Sequence, residues 1–123
     1  MIAMIKDILF VDDDFAALQA YRVLFNKEFT IDIADSVLFA KALLKDNDYQ
    51  IMITDLRLRR QKNDGLHLTD YVRQNHKNTK IIMVTAFSDG EIESKARNAG
   101  ASHFFAKPVS FRSLLTVISG ILK

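Results

Sequence analysis

Three carboxylates stand at the ends of two short apolar runs. Asp12 and Asp13 follow Ile8-Leu9-Phe10-Val11, and Asp55 follows Ile51-Met52-Ile53-Thr54. Apolar runs of this length that stop at acid read as buried parallel strands ending at an acidic cleft. Two later runs stop on other chemistry. Ile81-Ile82-Met83-Val84 ends at Thr85, and His103-Phe104-Phe105-Ala106 ends at Lys107-Pro108. Ligands of open α/β sheets bind outside the carboxyl ends of the strands, so acid, acid, hydroxyl and ammonium would share one mouth. That set suits phosphoryl chemistry. Clustered carboxylates repel one another, and a divalent cation such as Mg²⁺ or Mn²⁺ relieves the repulsion. Magnesium takes oxygen ligands and keeps several waters. Asp13 and Asp55 suit direct ligation, Asp12 suits it directly or through water, and the backbone carbonyl of Arg57 could complete the set. A carboxylate can also act as a nucleophile. Asp55, alone at the end of its run, is the candidate. The cation would then cover one phosphoryl oxygen, Lys107 a second, and the Thr85 hydroxyl with nearby backbone N–H a third. Taken singly, Asp12-Asp13-Asp14 suits a solvated turn, Thr85 a cap and Lys107 a surface charge; the four ends in this order carry the reading.

The elements that must position these residues alternate along the chain. Strands are expected at about 6–11, 29–33, 50–54, 80–84 and 102–106. Amphipathic stretches fill the gaps. Helix 1 follows Asp14 as N-cap and carries Ala17, Leu18, Tyr21, Leu24 and Phe25 on one stripe. Helix 2 starts near Asp35-Ser36 and buries Val37, Ala40, Leu43 and Leu44, and helix 3 starts near Asp64-Gly65 and buries Leu68, Tyr71 and Val72. Helix 4 opens with the capping-box pattern Ser88-Asp89-Gly90-Glu91 and ends at Ala99-Gly100. Its apolar stripe is only Ile92, Ala96 and Ala99, so it should be the most weakly anchored helix. Helix 5 follows Pro108 and Ser110, with the stripe Phe111, Leu114, Leu115, Ile118, Ile121 and Leu122. Five βα units predict a doubly wound α/β fold with a five-stranded parallel sheet, flavodoxin-like, in strand order 2-1-3-4-5. That order brings Asp12, Asp13 and Asp55 to the switch point between strands 1 and 3.

Composition excludes several classes. The 123 residues suit one domain. With no cysteine, disulfides and thiolate catalysis are out, and the three His have no zinc-ligand spacing. A net charge of +2 is too small to argue for direct nucleic-acid binding. No apolar stretch is long enough for a membrane span or a signal peptide, so a cytoplasmic location is expected.

At this point the sequence resembles the receiver domain of two-component response regulators. The matching residues are Val11-Asp12-Asp13-Asp14, Thr54-Asp55-Leu56, Asp64-Gly65, Val84-Thr85-Ala86, Ala99-Gly100-Ala101 and Lys107-Pro108, and they span essentially the whole chain. The resemblance implies a single receiver domain over 1–123 with no output domain encoded, and a phosphoacceptor rather than an enzyme. It implies that Asp12 and Asp13 hold Mg²⁺, that Asp55 is phosphorylated, and that Thr85 and Lys107 bind the phosphoryl group. The donor would be a sensor histidine kinase or a phosphotransfer protein. A cis bond before Pro108 is also implied. Phe104, three residues before Lys107, would couple to Thr85 as the switch aromatic. The surface of helix 4, strand 5 and helix 5 would then change for partner binding or homodimerisation. Arg57 and Phe87, two residues after Asp55 and Thr85, take positions that tune the lifetime of the phosphoryl group in this family. Both are large and are expected to restrict the attacking water.

The sequence departs from the family pattern in two places. Arg59 replaces the usual proline after the phosphorylated aspartate, within the basic run Arg57-Leu58-Arg59-Arg60-Gln61-Lys62. That run reads either as a solvated loop or as a steering patch. Strand 5 carries Ser102-His103-Phe104-Phe105 in place of the acidic-aromatic pair of the large DNA-binding subfamilies, and His103 reads as an ordinary edge residue. Two other functions compete: a degenerate receiver that only binds proteins, and a small Mg²⁺-dependent phosphatase with an aspartyl nucleophile. Against the phosphatase, the acidic pair precedes the strand of the presumed nucleophile, and no Asp-x-Asp starts at Asp55.

Overall fold

Side chains on the central strands alternate between two faces, and both faces are apolar. This is what a fully covered parallel sheet requires. The computed structural model describes residues 4–58, 64–86 and 89–122. The strands are β1 (Met4–Val11), β2 (Ile31–Ala34), β3 (Asn47–Thr54), β4 (Lys80–Thr85) and β5 (His103–Ala106). The helices are α1 (Phe15–Phe25), α2 (Val37–Asp46), α3 (Asp64–Asn75), α4 (Gly90–Ala99) and α5 (Phe111–Leu122). All strand pairs are parallel, in the order β2-β1-β3-β4-β5. The expected architecture and strand order are both found.

The two cores follow from the alternation. Ile8, Phe10, Ile51, Ile53, Ile82 and Val84 pack with Leu18 and Phe25 of α1 and with Leu114 and Ile118 of α5. Leu9, Val11, Met52, Ile81 and Met83 pack on the other side against Ala40 and Leu44 of α2, Leu68 and Val72 of α3, and Ala96 of α4. Register aligns the strand ends: Val11 lies opposite Thr54, and Thr85 opposite Ala106. One further hydrogen bond beyond the first of these pairs, from Asp55 N–H to Val11 O at 3.1 Å, carries the chain into the site.

Helix starts are set locally. The Asp14 side chain accepts from Ala16 N–H and Ala17 N–H, and Ser36 Oγ accepts from Phe39 N–H. Three expectations need correction. Leu24 is 49% exposed because the α1 face turned to the sheet is narrower than the apolar stripe in the sequence. Phe111 is 39% exposed, although its ring still meets Phe25 at 4.8 Å between centroids. The α4 N-cap is Asp89, which accepts from Ile92 N–H at 2.8 Å. This register puts Ile92, not Glu91, at the third helical position, so the capping box does not form as read. Ser88 lies outside the described residues. The weak anchoring of α4 is found: Ala96 is its one fully buried residue, with Ile92 partly buried.

Candidate phosphoacceptor site

Asp12 and Asp55 reach the same place because β1 and β3 are neighbours and end in register. Lys107, at the exit of β5, is carried to them across β4. Its backbone N–H donates to Thr85 O at 2.8 Å, and the following bond to Pro108 is cis. Lys107 Nζ donates to Asp12 Oδ2 at 2.8 Å and to Asp55 Oδ2 at 2.9 Å. Asp12 is only 2% exposed and Asp55 9%. Asp12 Oδ1 also accepts from Asp14 N–H at 2.9 Å, and Arg57 N–H approaches Asp55 Oδ1 at 3.4 Å. Asp13 projects outward and is exposed.

The electrostatics are unbalanced, with two buried carboxylates around one ammonium. Burial raises the Asp12 pKa above the usual carboxylate range, and the nearby Asp55 charge adds to this. The hydrogen bonds from Lys107 and Asp14 oppose the shift without cancelling it. Burial alone would lower the Lys107 pKa, but the two carboxylates outweigh it and hold the ammonium more firmly protonated than a free lysine. The cation at this site is therefore permanent at physiological pH, while one of its two anions is under strain.

Thr85 is fully buried at the end of β4. Phe104 lies opposite Met83 in the β4–β5 register, two residues before the Thr85–Ala106 pair. Alternation therefore puts Thr85 and Phe104 on the same face of the sheet, and Phe104 packs partly buried against the α2–α3–α4 core. Arg57 is half-buried beside Asp55. Phe87, Arg59, Arg60 and Lys62 lie outside the described residues. His103 is half-buried on edge strand β5, with Nδ1 3.3 Å from Ser102 Oγ.

The sequence reading missed the role of Gly65. Its N–H donates to Leu56 O at 2.7 Å, so the start of α3 lies directly on the chain leaving β3. A Cβ there would collide with Asp55 O and come within 2.7 Å of Leu56 Cα. The Asp64-Gly65 pair marked a helix start, but nothing local to it signals this close approach.

The pattern of the response regulator receiver domain matches residues 8–119 of this chain. The chain belongs to that family. The response regulator PilR of Pseudomonas aeruginosa is 32% identical over 90 residues, covering 73% of this chain and 20% of PilR. The transcriptional regulatory protein SrrA of Staphylococcus aureus is 29% identical over 121 residues, covering 98% of this chain and 49% of SrrA. The chain thus spans half or less of these curated relatives. The CheY-like receiver domain of Methanospirillum hungatei superposes with a TM-score of 0.88 at 28% identity, covering 96% of this chain and 94% of that one. Receiver domains are signalling modules of two-component systems, and no helix among the described residues is long and apolar enough to cross a membrane.

Receiver domains generally bind Mg²⁺ at the acidic phosphorylation site, and the donor chemistry here fits that ion. Asp12 and Asp55 already converge on a single cation, the Lys107 ammonium. Asp13 stands beside them at the surface. Among the described residues, no three carboxylate or imidazole groups close into a cage as they stand. A cation that keeps several waters and takes few carboxylates does not require one.

Proposed function

We propose that this receiver domain accepts a phosphoryl group on Asp55 from the phosphohistidine of a sensor histidine kinase or phosphotransfer protein. One observation carries the reading: the Lys107 ammonium joins Asp12 and Asp55 at the mouth of the sheet. An Asp55 carboxylate oxygen attacks phosphorus. The phosphorus–nitrogen bond of the donor breaks, and its electron pair returns to the imidazole. Asp12, Asp13, Asp55 and the Arg57 carbonyl would hold Mg²⁺ or Mn²⁺, which supplies charge neutralisation at one phosphoryl oxygen. Lys107 and the Thr85 hydroxyl bind the others.

The phosphoryl group draws Thr85 toward it, and Phe104 follows on the same face. The surface formed by α4, β5 and α5 shifts population toward a form that binds a partner or a second copy. Arg57, beside Asp55, slows hydrolysis by restricting water; Phe87, two residues after Thr85 in sequence, holds the other position that tunes the phosphoryl lifetime in the family. The 49% exposed Leu24 of α1 lines one groove with Lys107, which suits contact with a protein donor.

The test is intact-mass analysis after incubation with Mg²⁺ and a small phosphodonor such as acetyl phosphate. The parent should gain one labile phosphate and the Asp55→Asn variant none. Phosphate on both proteins would assign the acceptor elsewhere. No addition to the parent, with Mg²⁺ binding established, would favour a degenerate, protein-binding receiver.

A further inference from the structure

The two ends of α4 are held very differently. At its C-terminal end, Gly100 N–H donates to Ala96 O and Arg97 O, and Ala101 N–H to Ala96 O at 3.0 Å. The Asn98 carbonyl, one of the last four that a helix leaves unsatisfied, is taken by Arg73 of α3. The Arg73 Nη1–Asn98 O distance is 2.8 Å. The Arg73 stem also lies over Gly100, where a Cβ would come within 2.9 Å of Arg73 Cδ. A cation at this end further complements the helix dipole. Arg97 reaches Ser102 O at 3.3 Å, and Ser102 is itself tied to Ile81 O of β4 through its N–H at 2.8 Å and its hydroxyl at 3.1 Å. The N-terminal half has little of this. Beyond the Asp89 cap, Ile92 packs partly buried on the core, and the ion pairs of Glu91 and Glu93 stay within the helix, with Lys95 at 3.4 Å and Arg97 at 3.0 Å. A groove of about 260 Å³, lined by Asp89, Glu93, Phe104 and Ala106, separates it from β5.

We propose that Arg73 is a positioning residue that pins the C-terminal end of α4, so that α4 opens and responds as a lever hinged at that end. Motion concentrates in the first half of the helix, over the groove beside Phe104. The response to phosphorylation rests on the receiver reading above; the pin does not. Through the lever, a change at Phe104 alters the presentation of Asp89 and Glu93 while Ala99 to Ala101 stay fixed.

Amide-resolved hydrogen exchange on the intact chain tests this, with and without Mg²⁺ and beryllofluoride as phosphoryl mimic. Without the mimic, Glu93 to Lys95 should exchange faster than Ala99 to Ala101. Arg73→Met keeps the stem over Gly100 and removes the donor. It should speed exchange at Ala99 to Ala101 roughly tenfold and leave Glu93 to Lys95 within about twofold. Arg73→Lys, which restores a donor, should recover most of the protection. With the mimic, the parent should change only in the first half, and Arg73→Met along the whole helix. Equal protection of both halves in the parent would overturn the proposal. So would unchanged exchange at Ala99 to Ala101 in Arg73→Met, or a mimic response spread evenly along the parent helix. If the mimic changes nothing and no phosphate is taken up, the receiver reading fails, and the comparison without mimic alone decides the pin.

Discussion

At the scale of single residues, the site is defined by a charge count. Two buried carboxylates share the Lys107 ammonium, and Asp12 bears the cost because burial raises its pKa above 3.8. The sign of the stability effect follows. Between 3.8 and the raised value, the folded chain binds more protons at Asp12 than the unfolded chain does. Stability contributed there therefore falls as pH rises through that window and is level above it. Asp12→Asn removes the surplus charge, keeps an acceptor for Asp14 N–H and leaves Lys107 paired one-to-one with Asp55. The metal-free variant is expected to be more stable than the parent at neutral pH by roughly 1 kcal/mol, the scale of one buried polar interaction. Urea unfolding across a pH series checks this. The gap should close as the pH drops through the Asp12 window, and a gap that widens on acidification would sink the argument. The same variant should bind Mg²⁺ more weakly, so the group that destabilises the resting site is one that the proposed function would require.

At the scale of elements, the site depends on how closely α3 meets the chain leaving β3. Gly65 lets the first turn of α3 lie on Asp55 and Leu56 with no side chain between, and the fully buried Thr69 braces it through Oγ1 to Gly65 O at 2.7 Å. Gly65→Ala must lift the helix or displace the Asp55 backbone. A cost of about 1–3 kcal/mol is expected from overpacking, with slower phosphate uptake because Asp55, the proposed acceptor, moves. Gly120 of α5 is the internal control. A Cβ there meets nothing within 4 Å, so Gly120→Ala should stabilise by about 0.5–1 kcal/mol. Thermal unfolding of the two variants should shift in opposite directions; shifts of the same sign would mean that helix propensity, not close approach, governs position 65. These glycines also mark how far the sequence could be read. Strand ends and strand order were legible because apolar runs that stop at polar residues are local signals, and the Asp12–Asp55–Lys107 convergence followed from the order. The approach at Gly65 was not legible because it belongs to two elements distant in sequence. The exposure of Leu24 was missed for a related reason: periodicity marks an apolar stripe but not how much of it a neighbour covers. The Asp89 cap was read one position early because Ser88 and Asp89 are both competent caps, and the surrounding chain chose between them.

At the scale of the whole molecule, cation binding and folding are one equilibrium. The carboxylates that would hold Mg²⁺ come from the ends of two strands and converge only when the sheet is formed. A cation that binds the folded chain alone therefore stabilises all of it. The gain is about 2.7 kcal/mol when Mg²⁺ is at a hundredfold its Kd. Asp13 allows the linkage to be separated from ordinary stability, because it is exposed while Asp12 and Asp55 are buried. Asp13→Asn should leave metal-free stability within about 0.5 kcal/mol of the parent, as surface substitutions generally do, and should remove most of the Mg²⁺-dependent rise in Tm. Screening is the competing explanation, since added salt also weakens repulsion between carboxylates. Sodium chloride at matched ionic strength must therefore give a much smaller rise than Mg²⁺ in the parent, and a chelator must reverse the Mg²⁺ effect. An equal rise with both salts, or an undiminished rise in Asp13→Asn, would mean that the cation is not held between Asp13 and the buried Asp12–Asp55 pair.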